Sequence, residues 1–519
     1  MRTEHERWWA ALAGLVSAAA GLAIAEVVAL IIAPQSSPVL AIGSLTIDLS
    51  PSWVKDVVIA LFGTGDKVFL IAVLLIVLAL VAAGAGTLER RRPGWGVLVF
   101  IVIGVVGAIA TTTRTQSTWS WAAPTAIGML AACLVLRFSV HRLRAWTSAP
   151  AADQDPDVEP EASTTRRRFL TLVIGTAATS VVVGFGARVV NAASIAADAV
   201  RAAITLPQPA RAAAPIPAAS ALDVEGITPL ITPNAQFYRI DTALQVPSVD
   251  AATWRLRVTG MVENEIEISF DELLALPLIE TAVTLACVSN EVGGDLIGNA
   301  IWLGYPIRDL LARAKPQDGA DMVLSRSIDG FTAGTPLEIL LDEDRESLLA
   351  VGMNGDPLPP QHGFPVRMVV PGLYGYVSAT KWVTELQITR FDRARAYWTD
   401  RGWSEKGPVK IGSRIDVPSR TTAVTSGNVA VAGIAWAQHT GIRGVEVRVD
   451  GGPWSPARLA TPISADTWVQ WIYEWNAAPG QHELEVRATD ASGRRQSGTP
   501  RPVVPDGAEG WHAVTVSVS

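Results

Sequence analysis

The chain has 519 residues, 49% of them hydrophobic and only 18% charged, with a formal net charge of −7 at neutral pH. That apolar share points to a membrane-inserted portion, and the negative balance, with no basic block outside the flanks of apolar runs, argues against a nucleic-acid binder. The two cysteines, Cys133 inside an apolar run and Cys287 far outside it, exclude a disulfide framework.

Five apolar segments come first: residues 8 to 33, 68 to 88, 94 to 113, 117 to 136 and 169 to 187. Each is long enough, or nearly so, to cross a hydrocarbon layer that takes roughly 20 helical residues, and four of the five carry no charge. Arg2 and Arg7, Arg90 to Arg92, Arg137 with Arg142 and Arg144, and Arg166 to Arg168 flank the spans. Positive flanks stay cytoplasmic, so five crossings predict everything after about residue 190 on the outer side of the cell membrane. Ser163-Thr-Thr-Arg-Arg-Arg-Phe-Leu-Thr171 resembles a twin-arginine export signal, a route for proteins folded around a cofactor. None of the six histidines lies within a span, which argues against haem in the bundle. Glu26 is the one acid in a span, expected to snorkel to the outer interface.

Residues 145 to 165, rich in Ala, Pro, Asp and Glu, read as a cytoplasmic linker, 189 to 204 as a helical extension, and 205 to 221 as a Pro/Ala connector. Over 222 to 400 short strand and helix patterns alternate. Trp254 to Gly260 alternates apolar and polar residues, Ser269 to Leu276 carries a helix start signal, and Tyr305 to Arg313 reads as a helix with proline in its first turn. This predicts an α+β domain. In the C-terminal part, 401 to 519, the pattern becomes all-β from about residue 417, with runs at 429 to 437, 444 to 449, 468 to 475 and 482 to 488, as in a sandwich of about seven strands.

Cys287 stands in Thr284-Leu-Ala-Cys-Val-Ser-Asn-Glu-Val-Gly-Gly-Asp295. A soft sulfur on a turn after a strand, followed by glycines, suits a thiophilic metal cofactor; the alternative is a buried cysteine that merely packs. Gly293, Gly294 and Gly298 lack the Lys-Ser/Thr pair of a nucleotide loop.

Over residues 222 to 519 the chain resembles the sulfite oxidase family of molybdopterin enzymes. The matching words are Thr232-Pro-Asn-Ala-Gln-Phe-Tyr238, the Cys287 segment through Gly304, Pro359-Pro-Gln-His-Gly-Phe-Pro-Val-Arg367, and Val370-Pro-Gly-Leu-Tyr-Gly-Tyr376 followed by Lys381-Trp382. Val445 to Gly452, Trp468 to Trp475 and Val486 to Asp490 resemble the immunoglobulin-like domain that accompanies this family and often mediates dimerisation. The resemblance implies a molybdenum pyranopterin with Cys287 as sole protein ligand. It places Asn234, Tyr238 and Arg239 along the cofactor and Ser327 near the metal. His362 and Arg367 would hold pterin and phosphate, and Ser378, Ala379, Thr380 and Lys381 would close the site. Tyr374 and Tyr376 are candidate catalytic residues, with Trp302 and Glu291 further candidates for the substrate side and proton delivery.

Animal and plant sulfite oxidases have an arginine five residues after the cysteine, where Val292 stands here, and another where this chain has Tyr376-Val-Ser. Arg239 is displaced by one position. A site without those guanidiniums loses charge-assisted binding of a dianion. The expected function is therefore a membrane-anchored, extracytoplasmic molybdenum oxidoreductase performing two-electron oxygen-atom transfer on a small substrate other than sulfite. With no haem ligands or iron–sulfur cysteines, it implies a separate electron carrier, a quinone or a cytochrome. Alternatives are a sulfoxide or N-oxide reductase using the same site, and a cofactor-free binding or adhesion protein.

Overall fold

The computed structural model describes residues 2–519 apart from 52–53, 55–56, 59–60, 63–64, 115–116, 149–160, 193–200, 202–203 and 420–423. Two compact units divide it: Met1–Ala196 with Thr242–Pro247, and Ala197–Asp241 with Ser248–Ser519.

The first unit is helical: α1 (Arg2–Ile32), α2 (Pro38–Leu49), α3 (Asp66–Arg91), α4 (Trp95–Thr112), α5 (Ala122–Ser148) and α6 (Glu161–Ala192). Four stretches are long and apolar enough to cross a membrane: His5–Ile32, Lys67–Arg91, Trp95–Thr112 and Trp119–Ser148. The expected count of five is thus corrected to four among the described residues. The fifth segment, 169 to 187, lies in α6 directly after Arg166, Arg167 and Arg168, and the side chains at 184, 185 and beyond 186 lie outside the described residues. Most of the expected linker and helical extension also fall outside them.

Small residues let the helices approach closely. A Cβ at Gly14 would overlap the Ala82 carbonyl, and one at Gly86 the Ala10 carbonyl, so α1 and α3 meet backbone to backbone. The buried Glu89 carboxylate accepts N–H groups from Gly94, Gly96 and Val97 at 3.0–3.2 Å, satisfying donors that the start of α4 leaves orphaned. Glu26 does not snorkel: it is 5% exposed and accepts from the Ser37 hydroxyl at 2.7 Å. Ser37 also caps α2, a twelve-residue helix that the span pattern does not announce.

In the second unit the mixed part runs β1 (Arg255–Gly260), β2 (Ile266–Ser269), α7 (Phe270–Leu274), β3 (Ile279–Ala286), β4 (Ile297–Pro306), α8 (Ile307–Ala314), β5 (Met322–Ser327), β6 (Thr332–Pro336), α9 (Leu337–Leu341), β7 (Leu348–Met353), β8 (Asp356–Pro357), β9 (Arg367–Val369), α10 (Gly375–Ser378) and β10 (Val383–Thr389). One sheet has the order β2-β1-β10-β5-β6, the other β3-β4-β7-β8 with β9 also on β7; only β1 and β10 pair in parallel among these strands. Ser269 starts α7 with a complete capping box to Glu272, the signal read from sequence. Pro306 precedes α8, where its missing N–H costs no hydrogen bond.

The C-terminal part is two antiparallel four-stranded sheets. The first orders β11 (Gly412–Val417), β12 (Gly427–Trp436), β16 (Val469–Ala477) and β15 (Arg458–Leu459). The second orders β14 (Ser455–Pro456), β13 (Ile442–Val449), β17 (Gly480–Asp490) and β18 (His512–Val518). Alternation does the work: Val445 and Val447 enter a core with Val431, Trp471, Leu484, Val486 and Val514, while Glu446 on the opposite face pairs with Arg487 at 2.8 Å.

Residues 205 to 221, expected as a connector, are hydrogen-bonded chain. Ala210 N–H donates to the Leu278 carbonyl and Glu280 N–H to the Arg211 carbonyl, so the strip lines the free edge of β3. Further on, Thr461 N–H donates to Ala219 and Leu222 N–H to the Gln470 side chain.

Candidate active site

The β3–β4 hairpin presents Cys287 one residue past the end of β3. Its N–H donates to Leu296 at 2.9 Å and its carbonyl accepts from Asn290 at 3.1 Å. The Ser289 N–H points at Sγ at 3.4 Å. Asn290 Oδ1 in turn accepts from Leu296 N–H at 2.8 Å, so the turn is cross-braced on both sides of the sulfur. Gly293 has φ +80°, and a Cβ there would overlap the His512 ring; only glycine fits that conformation in that space. Arg414 donates to the Gly294 carbonyl at 2.7 Å. The C-terminal sheets therefore hold the cysteine loop. Cys287 is 8% exposed, and burial pushes its thiol up. Left alone it stays protonated; a bound cation would reverse that.

Beside it lies an excess of buried positive charge. Arg367 on β9 donates to the carbonyls of Met368 at 3.3 Å and His362 at 3.2 Å, with its guanidinium 5.0 Å above the Trp302 ring. No ion pair joins it to a carboxylate among the described residues, and burial lowers it to about 10. His362 lies 2.9 Å from the Asn234 carbonyl through Nε2. A carbonyl only accepts, so Nε2 carries the proton. Burial, then the Arg367 charge with Lys381 and Arg239 behind it, holds this imidazole at about 4. Lys381 donates to Asp241 at 2.6 Å and to the Gln361 carbonyl at 3.2 Å, yet burial still lowers it to about 8. Arg239 shares Asp241 at 3.0 Å. Tyr238, stacked on Phe237, has its phenol pushed far up by burial and the nearby Cys287 sulfur, against a smaller opposing pull from Arg367. Tyr238 thus lies within electrostatic reach of both the thiol and Arg367.

Asn234 spends its side chain on the Met353 carbonyl and the Asn354 amide. The Ser327 hydroxyl accepts from Asp329 N–H at 3.4 Å. Asp329 itself is raised, chiefly by burial.

Other expected residues are spent elsewhere. Trp302 is fully buried and donates to the Val283 carbonyl at 3.1 Å; it backs Arg367 and does not offer its N–H to a substrate. The Tyr376 hydroxyl donates to the Ser404 carbonyl at 2.9 Å. Thr380 exchanges a 2.7 Å hydrogen bond with Ser325 in the core, and Ser378 donates to the Tyr374 carbonyl at 2.9 Å. Ala379 donates its N–H to the Gly375 carbonyl at 2.9 Å. Glu291 sits on the exposed crest of the cysteine loop. Tyr374 differs: its oxygen accepts from Lys410 N–H at 3.4 Å. Burial and the charges of Cys287, Asp506 and Glu509 push it to about 12.

Two acids escaped the sequence reading. Asp241, the partner of both Lys381 and Arg239, follows the Phe-Tyr-Arg word by two residues, a signal that proximity alone could have raised. Asp329 carried none.

A buried guanidinium without a carboxylate, amid three further basic groups, is costly unless an anion fills the space. A phosphate-bearing cofactor supplies one, and a lone cysteine suits a metal whose other ligands the cofactor brings. A model of the oxidoreductase molybdopterin binding domain matches residues 243–398. Mitochondrial sulfite oxidase of Mus musculus is 32% identical over 341 residues, 56% of this chain and 62% of that protein. The uncharacterized oxidoreductase YuiH of Bacillus subtilis is 34% identical over 158 residues, 30% of this chain and 76% of YuiH. The chain thus spans less than two thirds of the mitochondrial sulfite oxidases it matches. Among solved structures, the sulfane dehydrogenase SoxCD of Paracoccus pantotrophus has the same fold over 56% of this chain and 84% of that one, with a TM-score of 0.50 at 23% identity. With its buried cysteine and its basic cradle, the chain belongs to the sulfite oxidase family of molybdopterin-dependent oxidoreductases, and its cofactor is a molybdenum-bearing molybdopterin.

Proposed function

We propose that the chain is a membrane-anchored enzyme that transfers an oxygen atom to or from a small substrate on the extracytoplasmic side. The balanced change is substrate oxide plus two electrons and two protons giving substrate and water, in either direction. Bound in the site, the molybdenum cofactor supplies the two-electron redox chemistry and the exchangeable oxygen. Cys287 Sγ is its protein ligand, held in direction by the cross-braced turn. Arg367 and His362 bind the phosphate and pterin, with Lys381 and Arg239 aimed by Asp241. Asn234, Tyr238, Ser327 and the backbone of Ser378 to Thr380 complete the wall, and Tyr374 offers a phenol to the substrate side. The electrons pass to or from a separate carrier, a quinone or a cytochrome.

The observation that carries this reading is the buried Arg367, which no carboxylate pairs among the described residues, held by the His362 carbonyl and the Trp302 face in the same unit as the buried Cys287. Four long apolar helices support the anchor; the extracytoplasmic placement rests in addition on a further crossing by the apolar run 169 to 187, which follows the basic flank Arg166 to Arg168. The C-terminal sheets fit an immunoglobulin-like sandwich able to mediate dimerisation. Elemental analysis of the purified full chain tests the reading: about one molybdenum per chain is expected from the family's single cofactor, and Cys287→Ser should lose it. A serine variant that retains its metal removes Cys287 from this role.

A further inference from the structure

The loop 504 to 510, between β17 and β18, reaches back to Tyr374. Gly507, at φ +104°, leaves room for the phenol: a Cβ there would lie 2.6 Å from its oxygen. Gly510 packs against Val292 on the cysteine loop. Pro505 accepts the Ser404 N–H, and Tyr374 N–H donates to Gly407. This places Asp506 and Glu509 beside the side chain of Lys410, whose backbone N–H donates to that phenol oxygen at 3.4 Å. Lys410 Nζ lies 2.9 Å from Asp506, 2.9 Å from Glu509 and 3.0 Å from the Gly507 carbonyl, so all three of its N–H bonds are taken. Arg501 is 4.0 Å from Glu509 and its side chain is 65% exposed, which leaves it a weak counterweight.

We infer that this loop is a specificity element that locks the Lys410 ammonium between two carboxylates, so that the approach to Tyr374 and Cys287 favours an uncharged oxygen-bearing substrate over an oxyanion. The proposal rests on the oxygen-transfer reading and narrows it to a substrate class. One positive charge stands against two negative ones, on the side where Val292 offers no guanidinium. Burial is the main cause of the rise of the Tyr374 phenol, and the charges of Cys287, Asp506 and Glu509 add to it. A phenol that keeps its proton donates to a neutral S=O or N–O oxygen; a dianion meets like charge.

The test uses the detergent-solubilised, molybdenum-loaded full chain. Sodium sulfate is titrated calorimetrically into the native enzyme, Glu509→Gln and Asp506→Asn/Glu509→Gln, and sulfite turnover is followed with a dye acceptor. The native enzyme is expected to give no saturable sulfate heat. The double variant, with Lys410 released, should bind sulfate and raise kcat/KM for sulfite by at least about tenfold, with the single variant between them. Saturable sulfate binding to the native enzyme, or a double variant as blind to sulfate as the native one, overturns the proposal. Molybdenum content and melting temperature, read on each sample, show whether a variant is intact; if the double variant loses either, the single variant and the native titration decide. A native chain without molybdenum overturns the functional reading itself, a result separable from the sulfate outcome.

Discussion

Glu89 and Arg367 are both charged and both buried, but they are neutralised in different ways. In the helical unit the Glu89 carboxylate takes three backbone N–H groups at the start of α4, Glu26 takes Ser37, and Ser17 returns to the Ala13 carbonyl. Each is answered within a turn or a neighbouring helix. In the mixed α+β part, Arg367 has two carbonyls and an indole face, and Lys381 and Arg239 share a single carboxylate. The first arrangement is complete on its own. The second is built around an anion the chain does not provide, and that incompleteness separates a functional polar site from a structural one.

The contrast can be broken most forcefully at Arg367. Arg367→Met should cut cofactor retention by at least about tenfold, read as molybdenum per chain. In cofactor-free protein the same change should raise stability by about 1–4 kcal/mol, because it removes a buried charge that no carboxylate pairs among the described residues. A stability loss in the cofactor-free form would mean the guanidinium is structural. Gly86→Leu probes the self-sufficient unit: the α1–α3 crossing has no room, so a cost of about 1–3 kcal/mol in thermal stability is expected with molybdenum content unchanged.

His362 gives a pH signature. Its folded value of about 4 lies below the ordinary 6.5, so the unfolded chain binds the extra proton first. Stability of cofactor-free protein is then complete above pH 6.5 and falls as the pH drops towards 4, by no more than about 1.4 kcal/mol per pH unit from this group. His362→Gln should flatten that slope in a denaturant series. The smallest effect is expected at Thr380→Val, which removes the hydrogen bond to Ser325 for about 1 kcal/mol and leaves metal content intact. A variant that loses metal would show Thr380 acting on the cofactor through more than its backbone.

Much of this was legible because it is local. The capping box at Ser269, the proline before α8 and the alternation in β13 and β17 each depend on residues a few positions apart. The cysteine, His362, Arg367 and Lys381 came from short words whose chemistry is written in their side chains. What escaped depends on distance in sequence: Asp241 opposite Lys381, and Lys410 between Asp506 and Glu509, are joined only by the fold. Trp302 and Tyr376 misled for the converse reason. An aromatic residue beside a reactive word can be its support as easily as its working face, and burial alone separates the two. The helix α2 escaped because twelve residues are too few for a span and its apolar content mimics a tail of α1.

The extended strip at 205 to 211 carries a practical consequence. Because Ala210 and Arg211 occupy the outer rim of β3, a secreted or truncated version begun at Leu222 would bare a row of ladder groups on the strand that leads into the cysteine turn. Such a fragment would be prone to stick to its own copies, and one begun ahead of Ile204 would keep that rim sheathed.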